Sequence, residues 1–268
     1  MRNRLALHTW TLDTTPLAEV LEIARGTGWN AVELRRIDFE RAFEAGQTAD
    51  DVLELVRASG LPIAAVGATF GWMYAGGDEQ ERLLGRLDDA ARWAAALGCR
   101  TIMSPVDFTS GDTRRAADSV RRAGDVAARH GVRLALELQS QAPQFNTLAR
   151  TREVVALADH PSVGLLLDTY HIERSRGGLA DYEDVAPDEI AYFQYSDVAA
   201  SGLEPGKTVD RLLPGQGVVP FRKIFALLAA KGYDGYLSLE APNPATWQRP
   251  PADVAREAAE STRALMPG

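Results

Sequence analysis

The sequence predicts a single (β/α)8 TIM barrel that spans residues 1–268. A recurring phrase, two further strand-like runs and the chain length favour this class. The phrase joins an Ala-rich helical stretch to a Gly and then to a short run rich in Leu or β-branched residues. A Gly past a helix is a stop signal, and a nearly continuous apolar run is typical of a strand buried on both faces. The repeated phrase therefore predicts parallel βα units.

Eight strands are predicted, six of them from copies of the phrase. The first strand is placed at 5–11 and the seventh at 190–195. Dividing 268 residues among eight units gives 33.5 residues each, close to the roughly 30 residues of one βα repeat. The six copies of the phrase span 22–34, 56–67, 94–104, 127–138, 156–168 and 228–240.

Helix starts and the first connection agree with a closed barrel. Pro16, after Thr15, is predicted at a first helical position, and Thr48 followed by Asp51 forms a capping-box pattern. An open doubly wound sheet would need a Gly-rich phosphate loop after an early strand. The connection at 8–16 contains no Gly, which favours the barrel.

Three long connections follow the predicted third, sixth and seventh strands, at 70–77, 171–178 and 199–217. In TIM barrels the loops after the strands form the active site. The Pro-Gly-Gln-Gly turn at 214–217 offers backbone amides to a phosphate, although one Gly-rich turn is weak evidence. We expect the function at this face of the barrel.

Composition excludes several classes of protein. The chain has 29 Lys and Arg against 37 Asp and Glu, a net charge of −8, which argues against nucleic-acid binding. The apolar stretch near the N-terminus is interrupted by His8 and is too short for a secretory signal, and no run is long enough for a membrane helix. Cys99, the single Cys, cannot form an internal disulfide and is expected to be buried. These features predict a cytoplasmic protein.

Acidic residues end three of the predicted strands. Glu137 follows Leu134-Ala135-Leu136, Asp168 follows three Leu residues, and Glu240 follows Leu237-Ser238-Leu239. Carboxylates that converge at a barrel mouth repel one another, so a divalent metal is the expected partner. Gln194, on the intervening strand, offers a carbonyl oxygen, and an all-oxygen set favours Mg²⁺ or Mn²⁺. The alternative is that each acid separately pairs with a buried Arg or a backbone amide.

The chain resembles the xylose-isomerase-like TIM-barrel superfamily of sugar isomerases, epimerases and dehydratases over nearly its whole length. The resemblance implies that Glu137, Asp168, Gln194 and Glu240 bind one divalent metal. Gln194 stands where most members have His, and a Gln here is similar to the 3-dehydroshikimate dehydratases, whereas Asp210 replaces the His that precedes their loop Arg. The resemblance is found in LALELQ (134–139), LLLDTYHIERSRGG (165–178), YFQYSD (192–197), DRLLPGQG (210–217) and GYDGYLSLEAPN (232–243).

Further residues are candidates for contact with a small-molecule substrate. His171, three residues after Asp168, matches the Asp-x-x-His arrangement by which the family brings an imidazole to the substrate, where it can hydrogen-bond or move a proton. Arg211 is expected to bind a substrate oxygen, phosphate or carboxylate. His8 is either a substrate contact or a core group.

Two pairs of residues leave their roles open. Glu33 and Arg35 lie on one face of the second strand and either line the pocket or form an internal ion pair. Trp72 and Tyr74 stack on a substrate ring, seal a lid or belong to the core, and Trp10 is similar. His130 and His160 are expected to cap helix ends.

The predicted function is that of a metal-dependent isomerase or epimerase of a small polyhydroxylated carbonyl compound. Proton transfer would pass through a metal-stabilised enediolate, with Glu137 and Glu240 as ligands and acid/base groups, as the resemblance implies. The runner-up is a dehydratase of a keto-cyclitol or 3-dehydroshikimate. A barrel that binds a metal or sugar without turnover is a third alternative. A homo-oligomer is left open.

Overall fold

Eight parallel strands form a closed barrel in the order β1 to β8, which confirms the predicted (β/α)8 architecture. The computed structural model describes residues 4–202 and 206–267. The strands are Arg4–His8 (β1), Ala31–Leu34 (β2), Ile63–Gly67 (β3), Thr101–Pro105 (β4), Arg133–Glu137 (β5), Val163–Asp168 (β6), Ile190–Tyr195 (β7) and Tyr236–Leu239 (β8).

Helices surround the barrel. They are Leu17–Gly26 (α1), Arg36–Glu44 (α2), Ala49–Ser59 (α3), Gly77–Ala96 (α4), Thr113–Arg129 (α5), Leu148–Ala158 (α6), Thr169–Arg174 (α7), Leu179–Asp184 (α8), Phe221–Ala230 (α9) and Pro251–Leu265 (α10). Short 3-10 turns lie at Thr9–Leu12, Pro187–Glu189 and Thr246–Gln248. No helix in the described part of the chain is long and apolar enough to cross a bilayer.

Local capping explains where the first helices and strands begin and end. The predicted capping box is confirmed, since Thr48 and Asp51 exchange hydrogen bonds at the start of α3. Pro16 caps α1 one position before the helix rather than starting it. β1 stops at His8, earlier than predicted, because the His8 ring accepts from the Trp10 amide and begins a 3-10 turn.

The connections at the functional face differ in their structure. After β6 the chain turns directly into α7, so residues 171–174 of the segment predicted as a loop at 171–178 are helical. The loop after β7 is held by Asp197, which accepts from the amides of Gly215 and Gly217. Those amides are therefore not available to a phosphate, and the interpretation of this turn as a phosphate site is wrong.

Two cores stabilise the barrel. The larger lies between the outer strand faces and the helices, and it includes Cys99, which is buried as predicted. The smaller fills the barrel interior with short side chains from β1, β2, β3 and β5, together with three larger residues. This composition leaves room for polar side chains above it. The interior residues are Ala6, Ala31, Ala64, Ala65, Ala135, Met103, Leu166 and Tyr192.

Candidate metal centre and substrate cavity

A cavity of about 330 Å³ opens at the carboxyl ends of the strands. Its polar floor includes Glu137, His171, Arg211 and Glu240. Apolar and aromatic side chains also line the cavity, among them Trp10, Ile37, Phe70, Met103, Pro105 and Phe108. The floor therefore brings together residues from β5, β8, α7 and the loop after β7.

Four oxygen-bearing side chains end neighbouring strands and all are buried. Glu137 ends β5, Asp168 ends β6 and is the register partner of Gln194 on β7, and Glu240 follows β8. Glu137, Asp168 and His171 offer ligand atoms within 4.8 Å of one another. Glu137 Oε1 and Gln194 Oε1 are buried and have no hydrogen-bond partner among residues 4–202 and 206–267. Two unpartnered buried oxygens and two further strand-end carboxylates supply oxygen donors of the kind that suit a hard divalent cation.

Arg211 places a cation among these acids. Its Nη1 donates to Asp168 Oδ2 at 2.8 Å and to Glu240 Oε2 at 2.6 Å, and its Nη2 lies 3.2 Å from His171 Nε2. The guanidinium is 4.3 Å from the ring centroid of Tyr170, whose hydroxyl donates to Asp210. One guanidinium thus faces three carboxylates, which leaves the cluster short of positive charge.

His171 sits in the acid cluster as a neutral ring. Burial lowers the pKa of His171 to about 3, and the Arg211 guanidinium contributes to this shift. Its Nδ1 is 3.2 Å from the Ser140 amide, and its Nε2 is 3.8 Å from both Glu137 Oε1 and Asp168 Oδ2. A neutral imidazole has one lone pair, so it accepts from Ser140 or from Arg211 but not from both.

His8 bridges the centre and the residues beneath it. Because Nδ1 accepts from the Trp10 amide, Nε2 bears the proton and lies 3.2 Å from Glu240 Oε1. Burial, with the nearby Arg35 and Arg211, lowers the pKa of His8 well below its usual value. His8 also lines the cavity, so both alternatives given for it apply in part.

Glu33 and Arg35 separate, because Glu33 lies on β2 whereas Arg35 follows the strand as the N-cap residue of α2, so the prediction that both lie on one face of the strand is wrong. Glu33 lies fully buried, where it accepts from Tyr192 and Gln194. Arg35 lines the cavity and pairs with Asp13 at 2.7 Å and Asp38 at 3.6 Å. Arg35 is thus placed to meet a substrate, whereas Glu33 lies below the cavity lining.

Burial shifts the acids of the centre toward neutral pH. It raises the pKa of Glu33 to about 8 and that of Glu240 to about 7, in the latter case against the opposing effect of Arg211. Burial and the neighbouring Glu240 and Asp168 carboxylates raise the pKa of Glu137 well above its usual value. Groups that titrate near neutral pH are suited to accepting and returning a proton.

The aromatic predictions need correction. Trp72 is fully buried and its indole donates to Thr69 and Ser104, so it belongs to the core and does not line the cavity. Tyr74 donates to Gln144 away from the floor. Trp10 does line the cavity.

His130 and His160 lie at helix ends and contact Asp88 and Asp125.

Several cavity residues were not predicted. Gln139 donates to Glu137 Oε2, and Gln141 donates to Gln139. Phe70 and Phe108 come from different loops and meet edge-to-face, 5.6 Å between centroids. Gln139 and Gln141 follow β5 directly in the sequence LELQSQ, so their position could have predicted them. No pattern in the sequence indicates that Phe70 and Phe108 meet.

The chain belongs to the xylose isomerase-like TIM barrel family, whose profile matches residues 21–265. It is 22% identical over 260 residues to inosose isomerase of Halalkalibacterium halodurans, covering 94% of this chain and 92% of that protein. It is 31% identical over 159 residues to 3-dehydroshikimate dehydratase of Pseudomonas putida. That match covers 58% of this chain and only 24% of the dehydratase.

Solved structures agree with the fold. The IOLI protein, determined with a bound zinc atom, superposes with a TM-score of 0.85 at 20% identity, covering 98% of this chain and 97% of that one. A xylose isomerase domain protein from Alicyclobacillus acidocaldarius superposes with a TM-score of 0.82 at 25% identity, covering 98% of both chains. At 20% identity, the superposition on the IOLI protein shows a shared fold and nothing more.

Proposed function

We propose that this protein is a divalent-metal-dependent isomerase or epimerase of a small polyhydroxylated carbonyl compound. The observation that supports it most is the pair of buried, unpartnered oxygens, Glu137 Oε1 and Gln194 Oε1, among strand-end acids. Relatives named as inosose isomerase and as 3-dehydro-D-guloside 4-epimerase of Escherichia coli support the reaction class.

The proposed metal ligands are Glu137, Asp168, Gln194 and Glu240. Because all four offer oxygen, Mn²⁺ or Mg²⁺ suits them better than zinc, which favours nitrogen and sulfur. When bound, the cation would supply a Lewis acid that polarises a substrate carbonyl and offsets the charge left when a neighbouring proton departs. We propose that Arg211 moves from Asp168 and Glu240 to a substrate oxygen in the loaded protein.

Glu137 and Glu240 are the proposed acid/base groups. They belong to β5 and β8, with β6 and β7 between them, so they approach a substrate from different sides. One would remove the proton from the carbon next to the carbonyl, and the other would return a proton. Return to the former carbonyl carbon gives isomerisation, and return to the opposite face of the same carbon gives epimerisation. His171 and His8 are neutral at pH 7 and would orient substrate hydroxyls.

A dehydratase is the second candidate. The Pseudomonas putida dehydratase is 31% identical over its matched part, against 22% for the inosose isomerase, and the sequence resemblance relates Gln194 to the dehydratases. Asp210 stands where the dehydratases have a His, and it accepts from the Tyr170 hydroxyl at 2.6 Å. This bond holds the Tyr170 ring on which the Arg211 guanidinium stacks.

The third alternative, a barrel without turnover, predicts a mouth blocked by Trp72 or Arg211. Trp72 does not line the cavity, whereas Arg211 lies at its floor and donates to Asp168 and Glu240, so this alternative is disfavoured only if Arg211 moves when the metal binds.

Assays with two substrate classes separate these candidates. Protein loaded with Mn²⁺ is incubated with keto-sugars, with an inosose and with 3-dehydroshikimate. An isomerase or epimerase yields a sugar isomer that chromatography detects. It also exchanges the proton on the carbon next to the carbonyl with deuterated solvent. Growth of an enone or aromatic absorbance from the last two compounds would instead establish the dehydratase, and no turnover of any class would contradict both.

A further inference from the structure

The amide of Gln194 has two chemically opposite ends, and its orientation decides whether it can bind a cation. Its Nε2 donates to Glu33 Oε1 at 2.8 Å. Its Oε1 is buried and has no partner among the described residues. A carbonyl oxygen is a ligand for a hard cation, whereas an NH₂ group repels one.

Glu33 is held in place independently of Gln194. It extends from β2 and is fully buried, and its Oε2 accepts from the Tyr192 hydroxyl at 3.0 Å. Both oxygens of Glu33 are therefore used as acceptors. When Glu33 is ionised, as a neighbouring cation favours, a flipped Gln194 amide would turn its carbonyl oxygen toward the Glu33 carboxylate and its NH₂ group toward the place of the free oxygen, so the orientation in the structure is the favoured one.

We propose that Glu33 is a positioning residue that holds Gln194 with its carbonyl oxygen free for a divalent cation. Glu33 then sets the affinity of the centre without touching the ion or the substrate. This inference rests on the proposed function, since it assumes that the cation binds at the strand ends. It replaces the expectation of a substrate contact by Glu33.

Calorimetric titration of the metal-free full-length protein with Mn²⁺ at pH 8 tests the inference. Glu33→Gln has nearly the same shape but can donate to Gln194 Oε1, so it no longer selects one orientation. Glu33→Asp keeps the charge and withdraws the carboxylate from Gln194. We expect each variant to weaken Mn²⁺ binding by about 10–100-fold, as is usual when a group behind a metal ligand is changed. Tyr192→Phe removes one of the two bonds to Glu33 but keeps the Gln194 contact, so we expect a smaller loss than in either Glu33 variant.

A second background separates positioning from simple loss of charge. In Gln194→Ala protein, Glu33→Gln should change the Mn²⁺ Kd less than about threefold, because the residue through which Glu33 acts is gone. An equal loss in both backgrounds, or none in the Gln194-containing protein, would overturn the proposal. Circular dichroism checks folding, and Glu33→Asp stands in if Glu33→Gln does not fold. Absence of Mn²⁺ binding by the unmodified protein would instead contradict the proposed function.

Discussion

At the scale of single residues, the centre depends on acids whose charge is incompletely neutralised. Glu240 lies within reach of Arg211 and His8 and faces the cavity. Its pKa of about 7 suits a group that carries a proton, and we propose that it is also a metal ligand. The residue is thus expected to serve binding and turnover together.

Glu240→Gln should abolish turnover and weaken metal binding. The amide cannot take up the substrate proton, and it lacks the charge that attracts a divalent cation. We expect kcat to fall by at least about 100-fold, the usual contribution of general acid–base catalysis, and the Mn²⁺ Kd to rise. Steady-state assays and calorimetry measure the two effects. Full activity in this variant would refute the site.

His171 provides a sharper division between catalysis and metal binding. We propose that it contacts substrate, although its Nε2 is also close enough to Glu137 and Asp168 to join a metal cluster. His171→Asn should lower kcat by at least about tenfold and change the Mn²⁺ Kd less than threefold, both as order-of-magnitude expectations. A large loss of metal affinity would show that His171 is a ligand instead.

At the scale of elements, the loop after β7 places Arg211 over the floor. The anchor is Asp197, which is fully buried and accepts four backbone amides, those of Val198, Gly215, Gly217 and Val219. Gly217 is required here, since a Cβ at this position would lie 2.1 Å from the Val198 carbonyl oxygen. The loop therefore depends on a carboxylate that makes no contact with the cavity.

Asp197→Asn should loosen this loop and weaken substrate binding. The NH₂ group of the Asn side chain would face backbone N–H groups, which are also donors. At least one buried backbone N–H would then lack an acceptor, at a cost of about 1–3 kcal/mol. We expect a lower Tm and a raised KM, because Arg211 is no longer held at the floor. Asp118→Asn, on the exposed face of α5, is the matched control and should change neither. An unchanged KM in Asp197→Asn would show that the loop does not depend on its anchor.

The barrel and three strand-end acids were predictable because both follow from short-range patterns. Repeated stops and apolar runs define parallel units, and an acid at the carboxyl end of such a run lies at the end of the barrel where the mouth opens. The roles of Glu33 and Trp72 were not predictable, because each depends on contacts across the barrel or between loops. Glu33 meets β7, on the far side of β1 and β8, and Trp72 turns inward to donate to Thr69 and Ser104.

At the scale of the whole molecule, buried acids link stability to pH. Glu33 has a pKa of about 8 in the folded protein, above its ordinary value of 4.5. The folded state therefore binds this proton more tightly than the unfolded state does. Its stabilising contribution is present at low pH and is lost as the pH rises through about 8.

The metal-free protein should lose about 1 kcal/mol of stability between about pH 7 and pH 8.5 as Glu33 ionises. Denaturant unfolding at the two pH values measures this change. Glu33→Gln has no proton to lose at this position, so its stability should fall less over the same interval. An equal fall in both proteins would show that other groups cause the dependence.

The central claim is a divalent cation held by four strand-end oxygens. Crystals of the protein grown with Mn²⁺ and measured for anomalous scattering test it directly. We predict one strong peak within about 2.0–2.6 Å of an oxygen from each of Glu137, Asp168, Gln194 and Glu240, the range of oxygen ligands to hard divalent cations. A floor without a peak, or a peak that excludes Gln194 and Glu240, would contradict the account.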